Sequence, residues 1–134
     1  MRLLIKGIGN DLVENQRFVV KLKEDKSSFF QRIFTKHEIE YCQKYKSIES
    51  QAEHYAARFA AKEALVKAIG TGFRKMSFHE IEVKNDELGA PYFEFSGRVE
   101  EILFEMEVDN VHLTLTHTTQ HALATVVIEG RRKD

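Results

Sequence analysis

Two carboxylates in this chain stand where a bare negative charge is costly, and each lies beside features that suit a cation. Asp11 follows Gly7-Ile8-Gly9-Asn10, and Glu63 lies inside Arg58-Phe59-Ala60-Ala61-Lys62-Glu63-Ala64-Leu65-Val66-Lys67. An ion among apolar neighbours is expensive to desolvate unless it is paired or coordinated. Asp11 and Glu63 are therefore candidate ligands of one metal ion. Lys62 and Lys67 flank the second carboxylate, and two readings fit them. In one, Lys62 snorkels from an apolar stripe and Glu63 pairs with Lys67 one turn on. In the other, both lysines face a ligand that carries phosphates and a metal, because an ammonium is a good point charge for phosphate.

These residues need elements to hold them. Residues 3–13 read as a first strand interrupted by Gly7 and Gly9, and glycine within a strand marks a bulge or a close approach of another backbone. Residues 15–23 carry Phe18, Val19 and Leu22 at helical spacing, and 28–34 add a turn or two of helix. Thr35-Lys36-His37-Glu38 has the spacing of a capping box, which starts a helix running to about Tyr45. The clearest helix covers 51–69 and stops at Gly70. On it Tyr55, Phe59, Val66 and Ile69 form one stripe, with Lys62 near its middle. Ala52, Ala56 and Ala60 form a small-residue row on the side of Glu63, where another backbone can come close. Gly70-Thr71-Gly72 reads as a helix stop, since it lacks the full phosphate-cradle pattern. Residues 81–83 and 92–95 read as strands, with the single proline in the turn between them. A short helix over 98–106 and a closing antiparallel pair, 111–117 and 122–129, complete the chain.

Composition bounds the rest. The 134 residues, 43% hydrophobic, suit one domain over 1–134 with no linker or repeat. A formal charge of −1 excludes wholesale electrostatic binding of nucleic acid or membrane, so an acidic partner must meet a local basic patch. Met1-Arg2-Leu3-Leu4-Ile5 enters a strand without a signal-peptide pattern, and no apolar run is long enough for a membrane span, so the expected location is cytoplasmic. The lone Cys42 reads as a buried, inert thiol. The six histidines lack zinc-type spacing. His37, His54, His79 and His121 read as solvated or structural, whereas His117 ends a strand among hydroxyl residues, where it could meet an anion. No Gly-x-Ser-x-Gly elbow supports a serine hydrolase.

Three blocks, Gly7-Ile8-Gly9-Asn10-Asp11-Leu12-Val13-Glu14, Arg58-Phe59-Ala60-Ala61-Lys62-Glu63-Ala64 with Lys67 and Gly70-Thr71-Gly72, and His112-Leu113-Thr114-Leu115-Thr116-His117-Thr118, together resemble the holo-(acyl-carrier-protein) synthases. Phe34-Thr35-Lys36-His37-Glu38 and Gly89-Ala90-Pro91 extend the likeness over nearly the whole chain. The resemblance implies an α+β fold with an antiparallel sheet, one long helix and several short ones. It implies a 4′-phosphopantetheinyl transferase, which moves the phosphopantetheine arm of coenzyme A to a serine of an apo acyl carrier protein and releases adenosine 3′,5′-bisphosphate. Asp11 and Glu63 match the family's Mg²⁺ carboxylates, a donor set that suits an ion retaining water and substrate phosphates. Lys62 and Lys67 would face the pyrophosphate, and Glu63, Lys62 and Lys67 would carry the catalysis. Arg58 and His117 match positions that meet the 3′-phosphate, with Thr116 beside them at the nucleotide pocket. The base for the carrier serine is left open between Glu63 and a water on the metal. Arg17, with Lys21 one turn on and Lys23 and Lys26 beyond, would form the basic surface for the acidic carrier. The resemblance also implies a homotrimer with sites between neighbours. A non-catalytic domain that binds coenzyme A or a related nucleotide is the alternative, and the intact Asp11, Glu63, Lys62 and Lys67 count against it.

Overall fold

The computed structural model describes residues 2–25, 27–70 and 75–131; Lys26, Thr71 and Gly72 lie outside the described residues. The order is β1 (Leu3–Glu14), α1 (Gln16–Lys23), α2 (Ser27–Ile33), α3 (Lys36–Gln43), α4 (Ile48–Ile69), a 3₁₀ turn (Phe78–Glu80), β2 (Ile81–Asn85), β3 (Pro91–Phe95), α5 (Gly97–Glu105), β4 (Val108–His117) and β5 (His121–Arg131). Two antiparallel sheets form, one in the order β1-β5-β4 and one a β2–β3 hairpin. The fold is α+β, as expected.

Alternation along β5 sets the layers. Ala122, Ala124, Val126 and Ile128 are fully buried against α4, while their neighbours in sequence face outward. β1 pairs with β5 through a register shift between Ile5 and Gly7, the bulge that the glycines predict. A methyl group on Gly7 would land in the carbonyl oxygen of Ala68, and one on Gly9 in that of Ala64. The β1 backbone and the alanine face of α4 are thus in direct contact, which no larger pair of side chains permits.

Helix α4 begins at Ile48, three residues earlier than periodicity suggests, behind an N-cap Ser47 whose hydroxyl accepts from the Ser50 N–H, and is capped at its end by Gly70 with φ of 81°. It is buried on nearly all sides, because the sheet covers one flank and α1 to α3 cover the other. Phe18 centres an aromatic cluster with Phe29, Phe30, Phe34 and Phe59, at centroid distances of 5.6–6.4 Å, that packs α1 and α2 onto α4. Pro91, expected in a turn, instead opens β3 opposite Asn85, a position where its missing N–H disturbs little. Cys42 is fully buried and burial pushes its thiol pKa up to about 12, in keeping with an inert core residue.

Candidate active site

The glycine–alanine contact places Asp11 two residues beyond Gly9 on the same face of β1, beside the last turns of α4. There its Oδ1 accepts from Lys67 Nζ at 2.9 Å, and the same ammonium donates to the Asn10 carbonyl at 3.1 Å. The Asp11 side chain is 17% exposed and that of Lys67 53%. Glu63 joins this group electrostatically. Its proton affinity is raised by burial first and by the Asp11 charge second, against the lowering pull of Lys67 and Arg17. Among the described residues no hydrogen bond or ion pair engages the Glu63 carboxylate. Lys67 therefore pairs with Asp11 and not with its own helix neighbour, which corrects the simple i,i+4 reading.

Two carboxylates on one wall, with the Asp11 charge raising the cost of ionising Glu63, are a poor arrangement for the empty protein and a good one for a cation. The donors are oxygen only, which suits a hard divalent ion. Among the described residues no group of three or more His, Cys, Asp or Glu could hold a metal. An ion here must complete its shell with phosphates and water, as Mg²⁺ does.

Lys62 is not part of this wall. It is fully buried, and Nζ donates to Glu38 Oε1 at 2.7 Å, to the Phe78 carbonyl at 2.9 Å and to the Ile81 carbonyl at 2.8 Å. An ammonium has three protons, and all three are used inside the protein. The expectation that Lys62 faces phosphates is corrected on that ground, and so is the snorkelling alternative. Burial pulls its proton affinity down while Glu38 holds it up.

A second wall lies further toward the start of α4. Arg58, 2% exposed, donates from Nη2 to Asn85 Oδ1 at 2.7 Å and stands 3.8 Å over the Tyr41 ring. Its Nε is buried with no hydrogen-bond partner among the described residues. His117 pairs through Nδ1 with Glu53 Oε1 at 2.9 Å. An aromatic row runs between them: Tyr41 to Tyr45 at 5.8 Å, Tyr45 stacked on His54 at 3.7 Å, and His54 to His117 at 5.1 Å. Lys44 lies 4.0 Å over Tyr41. Cations set along stacked rings favour an anion joined to a flat aromatic group. Tyr41, Lys44, Tyr45 and His54 were missed from sequence; the i,i+4 spacings of Tyr41 with Tyr45 and of His54 with Arg58 were the available signal.

Thr116 stands elsewhere. It pairs with Leu123, and alternation turns it to the outward face of the sheet, opposite to His117. Within this chain it does not share the Arg58–His117 wall, contrary to expectation. Arg17 is exposed on α1 with its guanidinium 5.0 Å over the Phe59 ring, and Lys21, one turn on, lies 5.1 Å over Phe29 and 3.9 Å from Glu24. Arg17 occupies the side of α4 that carries Glu63, on whose carboxylate its charge acts.

Residues 7–126 match the family model described as the 4′-phosphopantetheinyl transferase superfamily. The chain is 45% identical over 128 residues to a holo-(acyl-carrier-protein) synthase of Trichlorobacter lovleyi, covering 95% of this chain and 99% of that one. A crystal structure of such a synthase from Bacillus anthracis, in complex with CoA (3′,5′-ADP), superposes with a TM-score of 0.76 at 37% identity, over 95% of this chain and 98% of that one. An acyl carrier protein synthase of Plasmodium yoelii with ADP bound gives a TM-score of 0.84 at 27% identity, over 98% of this chain and all of the other.

Proposed function

The chain belongs to the 4′-phosphopantetheinyl transferase superfamily, and from that membership we propose that it works as a holo-(acyl-carrier-protein) synthase. It transfers the phosphopantetheine arm of coenzyme A to a serine of an apo acyl carrier protein and releases adenosine 3′,5′-bisphosphate. The observation that carries this reading in the structure is the Gly7/Gly9 contact with Ala64/Ala68, which brings Asp11, Glu63 and Lys67 to one wall.

Asp11 and Glu63 would hold a Mg²⁺ ion. Bound there, the ion would neutralise charge on the pyrophosphate and polarise it toward attack. Lys67, half-exposed and already paired with an oxygen anion, adds a mobile positive charge for the departing phosphate. Glu63 supplies the chain's own proton acceptor for the carrier serine. Arg58, its buried Nε unpaired among the described residues, and His117 bracket the aromatic row as the nucleotide end, where the 3′-phosphate would lie. Arg17, next to Glu63, with Lys21 one turn further along α1, presents the basic surface for the carrier.

The chain reads as one transferase domain over 1–134 and as a homotrimer. The outward face of the β1-β5-β4 sheet supports the trimer: Ile8, Leu12 and Leu123 lie on it at 61%, 63% and 40% exposure, apolar area that water disfavours. Thr116 belongs to the same face, so a neighbour seated there would bring it to a site shared between protomers. Among the described residues no helix is long and apolar enough to cross a membrane, and we place the enzyme in the cytoplasm.

Incubation with coenzyme A, Mg²⁺ and an apo acyl carrier protein tests the assignment by mass spectrometry. The carrier should gain roughly 340 Da, the mass of the arm. An enzyme that binds coenzyme A yet leaves the carrier mass unchanged would be the non-catalytic binding domain instead.

A further inference from the structure

Helix α4 is tied to strand β2 at two levels. Lys62 donates to the carbonyls of Phe78 and Ile81 and to Glu38 Oε1, while Glu38 Oε2 accepts from the Val83 N–H at 2.8 Å. Glu38 is itself held by the Thr35 N–H at 2.9 Å, in the capping box that starts α3. One helical turn earlier, Arg58 reaches Asn85 at the far end of the same strand. Asn85 Nδ2 then donates to the Gly89 carbonyl at 3.1 Å and shapes the hairpin tip. The first tie is fully buried; the second lies against the aromatic row.

Stability alone does not require the first tie, because apolar side chains of similar volume often replace a buried ion pair without loss. An apolar pair lacks direction, however. Bonds to the Phe78 and Ile81 carbonyls and to the Val83 N–H accept only one height of β2 along α4. We propose that the Lys62–Glu38 pair is a positioning strut for the nucleotide end of the site, setting β2 so that Arg58 and Asn85 meet beside Tyr41. Lys62 acts through Arg58 and touches no substrate. This rests on the reading of the Arg58–His117 wall as the nucleotide site.

The test is the double variant Lys62→Met/Glu38→Leu, which leaves no orphaned charge although it takes the side-chain acceptor from the Thr35 and Val83 N–H groups, alongside Glu38→Gln. Glu38→Gln keeps an oxygen for Lys62 and Thr35 but turns an amide N–H₂ toward Val83 and takes away the charge that balances the buried Lys62 ammonium, so it frees β2 at a cost in stability that thermal unfolding reads. Each is measured for thermal unfolding, for calorimetric binding of adenosine 3′,5′-bisphosphate, for Mn²⁺ binding and for KM toward the carrier. The double variant should fold and bind the bisphosphate roughly tenfold more weakly, with Mn²⁺ binding and carrier KM at parental values. Glu38→Gln should show a smaller loss of the same kind. Parental bisphosphate affinity in the double variant overturns the strut, as does a loss of Mn²⁺ affinity equal to that of the bisphosphate. Should the double variant not fold, Glu38→Gln decides: parental affinity there overturns the proposal. A parent protein that binds no bisphosphate would instead refute the reading of the wall, a separate failure.

Discussion

Residues 62 and 63 are neighbours on one helix and live in opposite electrostatic conditions. Lys62 is fully buried, with its three protons placed on Glu38 and two carbonyls, and Glu38 is completed by two backbone N–H groups. Glu63 is half-buried beside a second carboxylate, with its proton affinity raised and no hydrogen bond among the described residues. A charge whose needs are met inside the protein serves architecture. A charge left in debt to its surroundings is available to a ligand, which is why the second region, and not the deeper first one, reads as the reaction centre.

The largest effect expected from breaking that contrast is at Glu63. Glu63→Gln keeps shape and helix propensity but removes a charge from the cation site. Turnover should fall roughly 10²–10³-fold, read by the carrier mass assay. Stability should move the other way. Because the folded state holds the Glu63 proton more tightly than the unfolded chain does, Glu63 stabilises the metal-free fold at low pH, and that contribution disappears as pH rises from the ordinary glutamate range through the raised folded value. At neutral pH the glutamine variant without metal should therefore be at least as stable as the parent, and its stability should depend less on pH over that window. Near-parental turnover at limiting Mg²⁺ would remove Glu63 from the site.

Lys62→Met is the mirror experiment. It strands Glu38 as a buried carboxylate, and urea unfolding should show a loss of about 3–5 kcal/mol. A loss within error of zero would mean that water reaches Glu38 and that the first region is not the closed system described.

Next in size is Gly9→Ala, which tests how the two regions are joined. The added methyl meets the backbone of Ala64 and Ala68, so the neighbour cannot yield by a side-chain rotation and α4 must lift from β1. About 1–3 kcal/mol of stability should be lost. Activity should fall further than stability explains, because Asp11 on β1 and Glu63 on α4 are separated by the same movement. A variant that loses stability but keeps parental kcat would show that the site tolerates the shift.

Sequence reading recovered the junction better than the charges. Glycine in a strand and alanines in a helix row name a close backbone approach from residue type alone, and the bulge at Gly7 followed, although the contact falls at Ala64 and Ala68, one and two turns beyond the Ala52, Ala56 and Ala60 row read from the sequence. The Thr35/Glu38 capping box is present as spacing predicts, but its second duty was invisible, because the cation it meets lies 24 residues on in another helix. Lys62 in the middle of an apolar stripe was the visible sign. Periodicity could not say whether it reached water, since α4 is enclosed on both flanks and has no single polar face to compare with. Tyr41 and Tyr45 had only their four-residue spacing to mark them; the stacking of Tyr45, in the turn after α3, on His54 of α4 joins two segments, a relation that no local pattern encodes.

The smallest expected effect concerns Arg17, at the edge of the unsatisfied region. Its side chain is exposed, rests over Phe59 and lends positive potential to Glu63. An acidic carrier approaching this side of α4 would meet the exposed Arg17 beside the Asp11–Glu63 wall, and exposed charges act mainly on encounter and orientation. Arg17→Glu should raise the apparent KM for apo carrier about tenfold, more at low salt than at high, since the interaction is screened within about 10 Å at 0.1 M. Its influence on Glu63 is shared with Lys67, so the coenzyme A concentration dependence should shift far less. Arg17→Gln, which removes the charge without reversing it, should fall between parent and Arg17→Glu for the carrier. Titrating each substrate against both variants separates the possibilities. Equal damage to both substrates, or damage to coenzyme A alone, would place Arg17 inside the unsatisfied region as part of its electrostatics and not at its rim as a docking contact.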